Sequence, residues 1–364
     1  MKKESAFGRE SGVARMLRFL ARPAPLAALC CLLLAALMAA HPAASLEASL
    51  RGVAVWWDVL FPALFPFFVM AELMLGFGVV HFFGTLLDPL MRPVFRLPGV
   101  AGFVVTMGLI SGYPVGARLA SRLREQGQIS RTEGERLVAF VTTSDPIFLI
   151  GAVSVGFFHD SALAPVLAAA HYGGAFIIGL IFRQYRRRDP LTPAASAAGA
   201  RLIPSAFAAM HRARAEDGRA PGRLLQDAVA SALRLNIVVG GLVVFFSVVM
   251  ELLTRAHVLD LFISVLQALL QGAGLPAQMS SAFASGLFEV TLGAKAAGEA
   301  GAALPHRAAA AAWVLSWAGL SVHAQIASII GVTDIRYAPF LAARAAHGIL
   351  SFALVWLLWG WLGP

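Results

Sequence analysis

The chain has 364 residues, 59% of them hydrophobic and 13% charged, with a formal net charge of +9 and a mean hydropathy of +0.75. A soluble globular chain carries about a quarter charged residues and lacks a series of long apolar runs, so these values exclude that class and predict an all-α polytopic membrane protein. The basic residues flank the apolar runs instead of forming one stripe with interleaved aromatics, which argues against nucleic acid as a partner and makes the charge a topology signal.

Residues 1–22 contain Lys2, Lys3, Arg9, Arg15, Arg18 and Arg22, ahead of an apolar run at 24–40. A signal peptide shares this layout, but the long basic prelude and the later spans favour an uncleaved first span, after which the chain begins outside. Cys30 and Cys31 are adjacent within the run and have no partners elsewhere, so neither a disulfide framework nor a metal site is expected.

A second span is predicted at 52–80, carrying Glu72 and bent by Pro62 and Pro66. Residues 81–98, with Asp88, Arg92 and Arg96, form an interfacial helix or elbow. An uncharged segment follows and runs into GLISGYPVGAR at 108–118, where Gly112, Pro114 and Gly116 crowd the middle. Backbone interrupted in this way survives at membrane depth only where it lines a protected cavity. Arginines on both sides of 99–120 predict a hairpin that dips into the bilayer and returns to the cytoplasmic face. Close helix packing is the alternative reading of Gly112 and Gly116. The polar stretch QISRTEGER is expected to be a solvated helical turn capped by Ser130, with Glu133 completing a capping box.

The next span, 137–158, is interrupted by TTSDP at 142–146, which puts Asp145 at depth. A turn at HDS leads to a span at 162–182 containing His171, Gly173 and Gly174. Residues 183–223 then hold nine arginines among Ala, Pro and Gly, read as a partly disordered cytoplasmic linker.

The second half repeats this order. A span at 228–253 carries Glu251, an amphipathic stretch covers 258–272, and GLFEVTLGAK at 286–295 echoes the first hairpin, with Gly286 and Gly293 shaping it. A span at 308–330 is interrupted by SWAGLSVHAQ, and a last span covers 339–362. Aligning GAR at 116–118 with GAK at 293–295 gives an offset of 177, and Glu72 and Glu251 differ by 179. Residues 81–136 hold seven arginines, whereas 255–307 hold only Arg255, Lys295 and Arg307. The first hairpin is therefore expected to open to the cytoplasm and the second to the outside, an inverted-repeat transporter-like fold with two re-entrant hairpins and broken transmembrane helices.

In such a fold the hairpins and broken spans meet near the bilayer centre, where helix ends bring partial charges to a substrate. The expected substrate zone takes Ser111, Gly112, Tyr113, Thr142, Thr143, Ser144 and Asp145 from the first half, and Glu289, Thr291, Lys295, Ser316, Ser321, His323 and Gln325 from the second. Acids and bases at membrane depth cost about 3 kcal/mol or more, so Asp145, Glu289 and Lys295 are functional by default. A structural pair of Glu289 with Lys295 is the competing reading, as are hydroxyls bonding their own helices and a His323 that hydrogen-bonds across helices. Glu72 and Glu251 are expected to cap or brace each hairpin.

GLISGYPVGARLASRLREQGQISRTEGERL, TTSDPIFLIGAVSVG, SGLFEVTLGAK and SWAGLSVHAQIASIIGVTDIRYAPFLAARAAHGIL resemble the sporulation integral membrane proteins of the YlbJ (SpoVV) type. These carry the nucleoside-recognition or Gate domain and are similar in plan to concentrative nucleoside transporters. The resemblance runs from about residue 50 to the end, apart from the linker. It implies a carrier of dipicolinate across the outer forespore membrane during sporulation, with Tyr113 placed to stack on a ring. A nucleoside or another small metabolite is the alternative substrate, and a non-transporting spore-envelope membrane protein the alternative class. The organisation is then a basic N-terminus and first span (1–48), a first Gate-like repeat (49–182), the linker (183–227), a second, inverted Gate-like repeat (228–337) and a C-terminal span (338–364). No HExxH or GxSxG motif is present, so no enzyme and no cofactor is expected. The expected partners are a small-molecule substrate and the lipid bilayer, with room for a coupling ion and a homo-oligomer.

Overall fold

The computed structural model describes residues 23–193 and 202–364; the basic prelude at 1–22 lies outside them. Among the described residues five helical segments are long and apolar enough to cross a membrane: Pro42–Gly76, Ser161–Phe182, Pro221–Arg255, Leu304–Ile330 and Tyr337–Leu362. The first apolar run forms α1 (Pro23–Ala40).

The second span starts ten residues earlier than expected. Helix α2 (Pro42–Ala54) runs through a π-helical stretch, Val55–Leu60, into α3 (Phe61–Gly76). The wider turns fall just before Pro62, which cannot donate to the preceding turn and so loosens the helix instead of breaking it. Gly78, at φ 75°, ends this span and starts α4 (Val79–Leu90). A β-carbon there would press on the Met210 carbonyl.

The first hairpin is α5 (Ala101–Ser111) and α6 (Tyr113–Glu125). Then come α7 (Arg131–Val141), a non-helical stretch at 142–145, a π-helical segment Phe148–Phe157, and α8 (Ala164–Phe182). The capping box at the start of α7 forms as expected, with Glu133 Oε2 accepting from Ser130 N at 2.8 Å. The helix is not solvated, however: Glu133, Glu135 and Arg136 are all buried. Arg136 donates to the carbonyls of Tyr185, Arg186 and Arg96, and Glu133 accepts from Thr192. These charges tie down the chain that leaves α8, a use invisible to local periodicity.

The linker is also more ordered than expected. Helix α9 (Leu202–Asp217) lies within it, and its Ala206, Phe207 and Met210 share one face, the helical spacing that the arginines and alanines obscured. Phe207 meets the Phe82 ring edge-on at 4.9 Å and Arg214 lies 5.6 Å over Phe77. Residues 194–201 lie outside the described residues.

The second half follows with α10 (Pro221–Arg255), α11 (Val258–Gly272), the hairpin α12 (Ser280–Phe288) and α13 (Val290–Glu299), the broken pair α14 (Leu304–Trp317) and α15 (Gly319–Ile330), and α16 (Tyr337–Leu362). His257, at φ 57°, stands between α10 and α11 as Gly78 stands between α3 and α4.

Two sets of contacts express the inversion. Helices α2–α3 and α10 are antiparallel, with Glu72 accepting from Ser231 at 2.9 Å and Glu251 paired with Arg51 at 2.7 Å; each acid braces the other half's long helix. The open end of the first hairpin meets the C-terminal end of α8 and the N-terminal end of α16, through Thr132 with Asp189 and Glu135 with Arg336. That of the second hairpin meets the opposite ends, with Arg307 over Phe158 and His306 against Trp356. Helix α8 has 19 residues and is thus about 28 Å long, so the two hairpins open at opposite ends of the bundle.

Candidate functional site

Each hairpin turns on a single residue. In the first it is Gly112, at φ 81° and ψ −173°, a conformation essentially confined to glycine. Pro114 begins the returning helix, where its missing N–H costs nothing. Gly116 is helical and lies against Gly108 and the Val141 carbonyl, so the close-packing reading holds for Gly116 and the chain break belongs to Gly112 alone. In the second hairpin the joint is Glu289, in extended conformation, whose carboxylate accepts from Leu292 N at 2.8 Å and caps α13. Gly286 and Gly293 meet each other and Val314, again as close packing.

The broken spans supply matching joints. After Thr142, Asp145 Oδ1 accepts from the backbone N–H groups of Ile147 and Phe148 at 3.1 and 2.8 Å, capping the helix that starts there. In the second half the span is interrupted at Ala318 and Gly319, both at positive φ. A β-carbon at Gly112 would lie 3.1 Å from Asp145 Oδ2, so the first hairpin joint touches the first break. Gly319 touches the backbone of Phe288 and Glu289 in the same way.

A cavity of about 120 Å³ opens where these joints converge. Its polar lining is Ser111, Tyr113, Asp145, Glu289, Thr291, Ser321 and Gln325, with Gly112 in the wall, and its apolar lining includes Leu64, Phe68 and Leu235. Two helix N-termini, each with its own capping carboxylate, therefore face one shared space from opposite halves of the chain.

Five other residues of the expected zone do not line the cavity, and four of them, all but Thr143, satisfy interrupted backbone or tie the surrounding helices together. Thr142 Oγ1 bonds its own helix at Val138 O. Ser144 N donates to His171 Nε2 at 3.0 Å and Ser144 O accepts from the Tyr172 hydroxyl. Since a backbone N–H only donates, His171 Nε2 is the acceptor and Nδ1 carries the proton, which it gives to Ser316 Oγ at 2.9 Å. Ser316 donates in turn to Ser351, and Ser351 to Ala170 O. His323 Nε2 donates to Trp317 O, at the second break, while Nδ1 accepts from Tyr337. Thr143 is fully buried, its hydroxyl without a partner among the described residues. Tyr113 does both jobs, lining the cavity and donating to Leu315 O at 2.7 Å.

Lys295 stands apart. It is half-buried and pairs with Glu299 at 3.5 Å, four residues along α13. It neither lines the cavity nor pairs with Glu289, because the helix carries residue 295 away from the joint.

The sequence reading passed over Arg344, which is fully buried on α16. Its guanidinium donates to Thr142 O at 2.5 Å and Ala139 O at 2.7 Å in the first half, and to Ser316 O at 3.3 Å in the second. One cation thus occupies the negative C-terminal ends of both broken helices. Beside it, His347 donates to His171 O. The signal was available: Arg344 is the lone formal charge in 337–364, and an arginine inside an apolar span is a functional candidate.

The Gate model, described as nucleoside recognition, matches residues 58–158 and 237–335, one block in each half. The sporulation integral membrane protein YlbJ of Bacillus subtilis (strain 168) is 43% identical over 335 residues, which is 90% of this chain and 81% of that one. A solved structure, CNTnw in an inward-facing substrate-bound state, superposes with a TM-score of 0.44 at 12% identity, covering 94% of this chain and 88% of that one.

Proposed function

Because the chain belongs to the Gate family that includes the sporulation integral membrane protein YlbJ, we propose that it carries a small polar metabolite across a membrane through the cavity between its two halves. The observation that supports this most directly is the convergence of Gly112, Asp145, Glu289 and Gln325 on one cavity. Gly112 and Glu289 come from hairpins that open at opposite ends of the bundle, and Asp145 and Gln325 from the broken span of each half, the arrangement alternating access requires. Both hairpins enter the bilayer without crossing it, the first from the cytoplasmic side, where the arginines concentrate. The side chains that satisfy broken backbone replace the water that lipid cannot supply.

The substrate under this reading is dipicolinate, moved across the outer forespore membrane during sporulation. Asp145 and Glu289 then require a cation or a proton to enter with the dianion, since like charges in a low-dielectric space repel strongly. The same two carboxylates favour a second reading, in which a neutral nucleoside is bound by hydrogen bonds to them and to Gln325. The purified protein in liposomes, given labelled dipicolinate with uridine as competitor and the reverse, separates the two. Saturable dipicolinate uptake unaffected by uridine supports the first reading and saturable uridine uptake the second. Uptake of neither supports a non-transporting membrane protein of the spore envelope.

A further inference from the structure

The central cavity does not end at its own walls. Phe68, Ser111, Val115 and Leu235 also line an adjoining chamber of about 360 Å³. That chamber shares Glu72 and Ser231 with an outer one of about 500 Å³. Together they form a vestibule leading from the substrate cavity to the end of the bundle where the first hairpin opens.

Five arginines line the vestibule. Arg118 and Arg122 are in the inner chamber; Arg219, Arg223 and Arg234 are in the outer. Two of them are committed: Arg219 to Asp217 and Asp227 at 2.5 and 3.1 Å, and Arg223 to Asp227 at 3.1 Å. Among the described residues, Arg118, Arg122 and Arg234 have no carboxylate within 4.0 Å. The one acid at the neck, Glu72, is engaged by Ser231. Arg118 and Arg122 are one helical turn apart on α6, where like charges repel and destabilise the helix unless a counter-charge lies between them. Guanidinium groups match carboxylate and phosphate oxygens in pairs, and a concave surface concentrates their field.

We propose that this vestibule is a binding site for small organic anions bearing carboxylate or phosphate, with Arg118 and Arg122 holding the charged group in the inner chamber and Arg234, from the other half, in the outer chamber on its way in. The anion is captured here before it reaches the apolar-walled cavity. Passage beyond the vestibule rests on the transport reading, which this deepens; the binding itself does not. An anionic lipid headgroup offers the same phosphate chemistry. The vestibule's concavity and its continuity with the cavity favour the soluble anion.

The test is equilibrium binding of pyridine-2,6-dicarboxylate, inorganic phosphate and uridine to the full-length protein in nanodiscs of phosphatidylcholine, with and without phosphatidylglycerol. The wild type should bind the dicarboxylate more weakly as salt rises. Arg118→Gln/Arg122→Gln should weaken anion binding at least tenfold while leaving uridine unchanged, and Arg212→Gln, outside the vestibule, should leave both unchanged. Anion affinity equal in the double variant and the wild type would overturn the proposal. So would an equal loss of anion and uridine binding, or a wild type that binds no soluble anion and only retains phosphatidylglycerol. A protein that binds the anion in this arginine-dependent way yet moves nothing in liposomes would refute the carrier reading and leave the vestibule standing.

Discussion

Replacing Arg344 by Met keeps most of the side-chain volume and removes the guanidinium's donors from the junction of the two halves. The guanidinium makes three charge-assisted bonds, to Thr142 O, Ala139 O and Ser316 O. At about 1.5–3 kcal/mol each their gross value is several kcal/mol, offset in the wild type by the desolvation of a fully buried cation. The variant is relieved of that desolvation but leaves three carbonyls unpaired where no water competes, at about 1–3 kcal/mol each. The expected net loss is about 3–5 kcal/mol, the range for breaking a buried charged contact from one side. Arg344→Lys should lose about half as much, because a single ammonium cannot sit at the ends of two helices at once. Equilibrium unfolding of the purified protein in mixed detergent micelles, followed by circular dichroism, measures both. An Arg344→Met protein within about 1 kcal/mol of the wild type would refute the reasoning, since the carbonyls must then be satisfied without it.

Glu289→Gln and Asp145→Asn should each slow uptake at least tenfold, because both line the cavity, while Lys295→Gln, whose partner is Glu299, should leave uptake within about twofold; this follows from side-chain placement and from the roughly 1.4 kcal/mol that a tenfold change represents, and initial rates normalised to protein abundance check it. Gly112→Ala should cost about 1–3 kcal/mol in backbone strain and displace Asp145, abolishing uptake, whereas Gly127→Ala, at φ 68° with nothing within 4 Å, should cost about 1–2 kcal/mol in stability and leave uptake intact. The Arg124 guanidinium donates to both oxygens of Asp334 and holds that carboxyl below its ordinary range. A depressed folded-state pKa gives stability that is complete above the ordinary value near about 4 and is lost as pH falls through the lower, folded one. Since both side chains are partly exposed, the pair contributes no more than about 1 kcal/mol. Arg124→Gln should therefore melt slightly below the wild type at pH 7, and the difference should vanish in strong acid.

The repeat and its inversion were legible because membrane residence writes itself in long runs and in arginine placement. The offsets that aligned Glu72 with Glu251 and the two glycine-containing motifs correspond to matching joints at Gly112 and Glu289. The division of the polar zone remained hidden. Sequence marks Ser144, Ser316 and His323 as polar groups at depth, but whether such a group faces a lumen or an orphaned carbonyl depends on which helix of the other half lies beside it. Lys295 misled because proximity along α13 says nothing about a helix leaving the joint. Arg344 was overlooked because it lies far in sequence from both motifs it joins. Helix α9 was hidden by a composition that mimics disorder.

The cavity's size bears on how a substrate enters. An apolar cavity of about 150 Å³ takes one benzene molecule, whereas the space between the joints is about 120 Å³, too small for a dicarboxylated ring or a nucleoside. Loading therefore requires the walls to part. The wall toward the vestibule is lined by Phe68, Ser111, Val115 and Leu235, whose side chains make no hydrogen bond or ion pair across it among the described residues. The opposite side of the hairpin joint is stitched by Tyr113 to Leu315, and behind it by Arg344 to Thr142 and Ser316. Dispersion contacts separate and re-form with little penalty per atom, while buried charge-assisted bonds do not. The softer wall is thus the one facing the arginine-lined vestibule, and opening toward that end leaves the junction held by Arg344 in place.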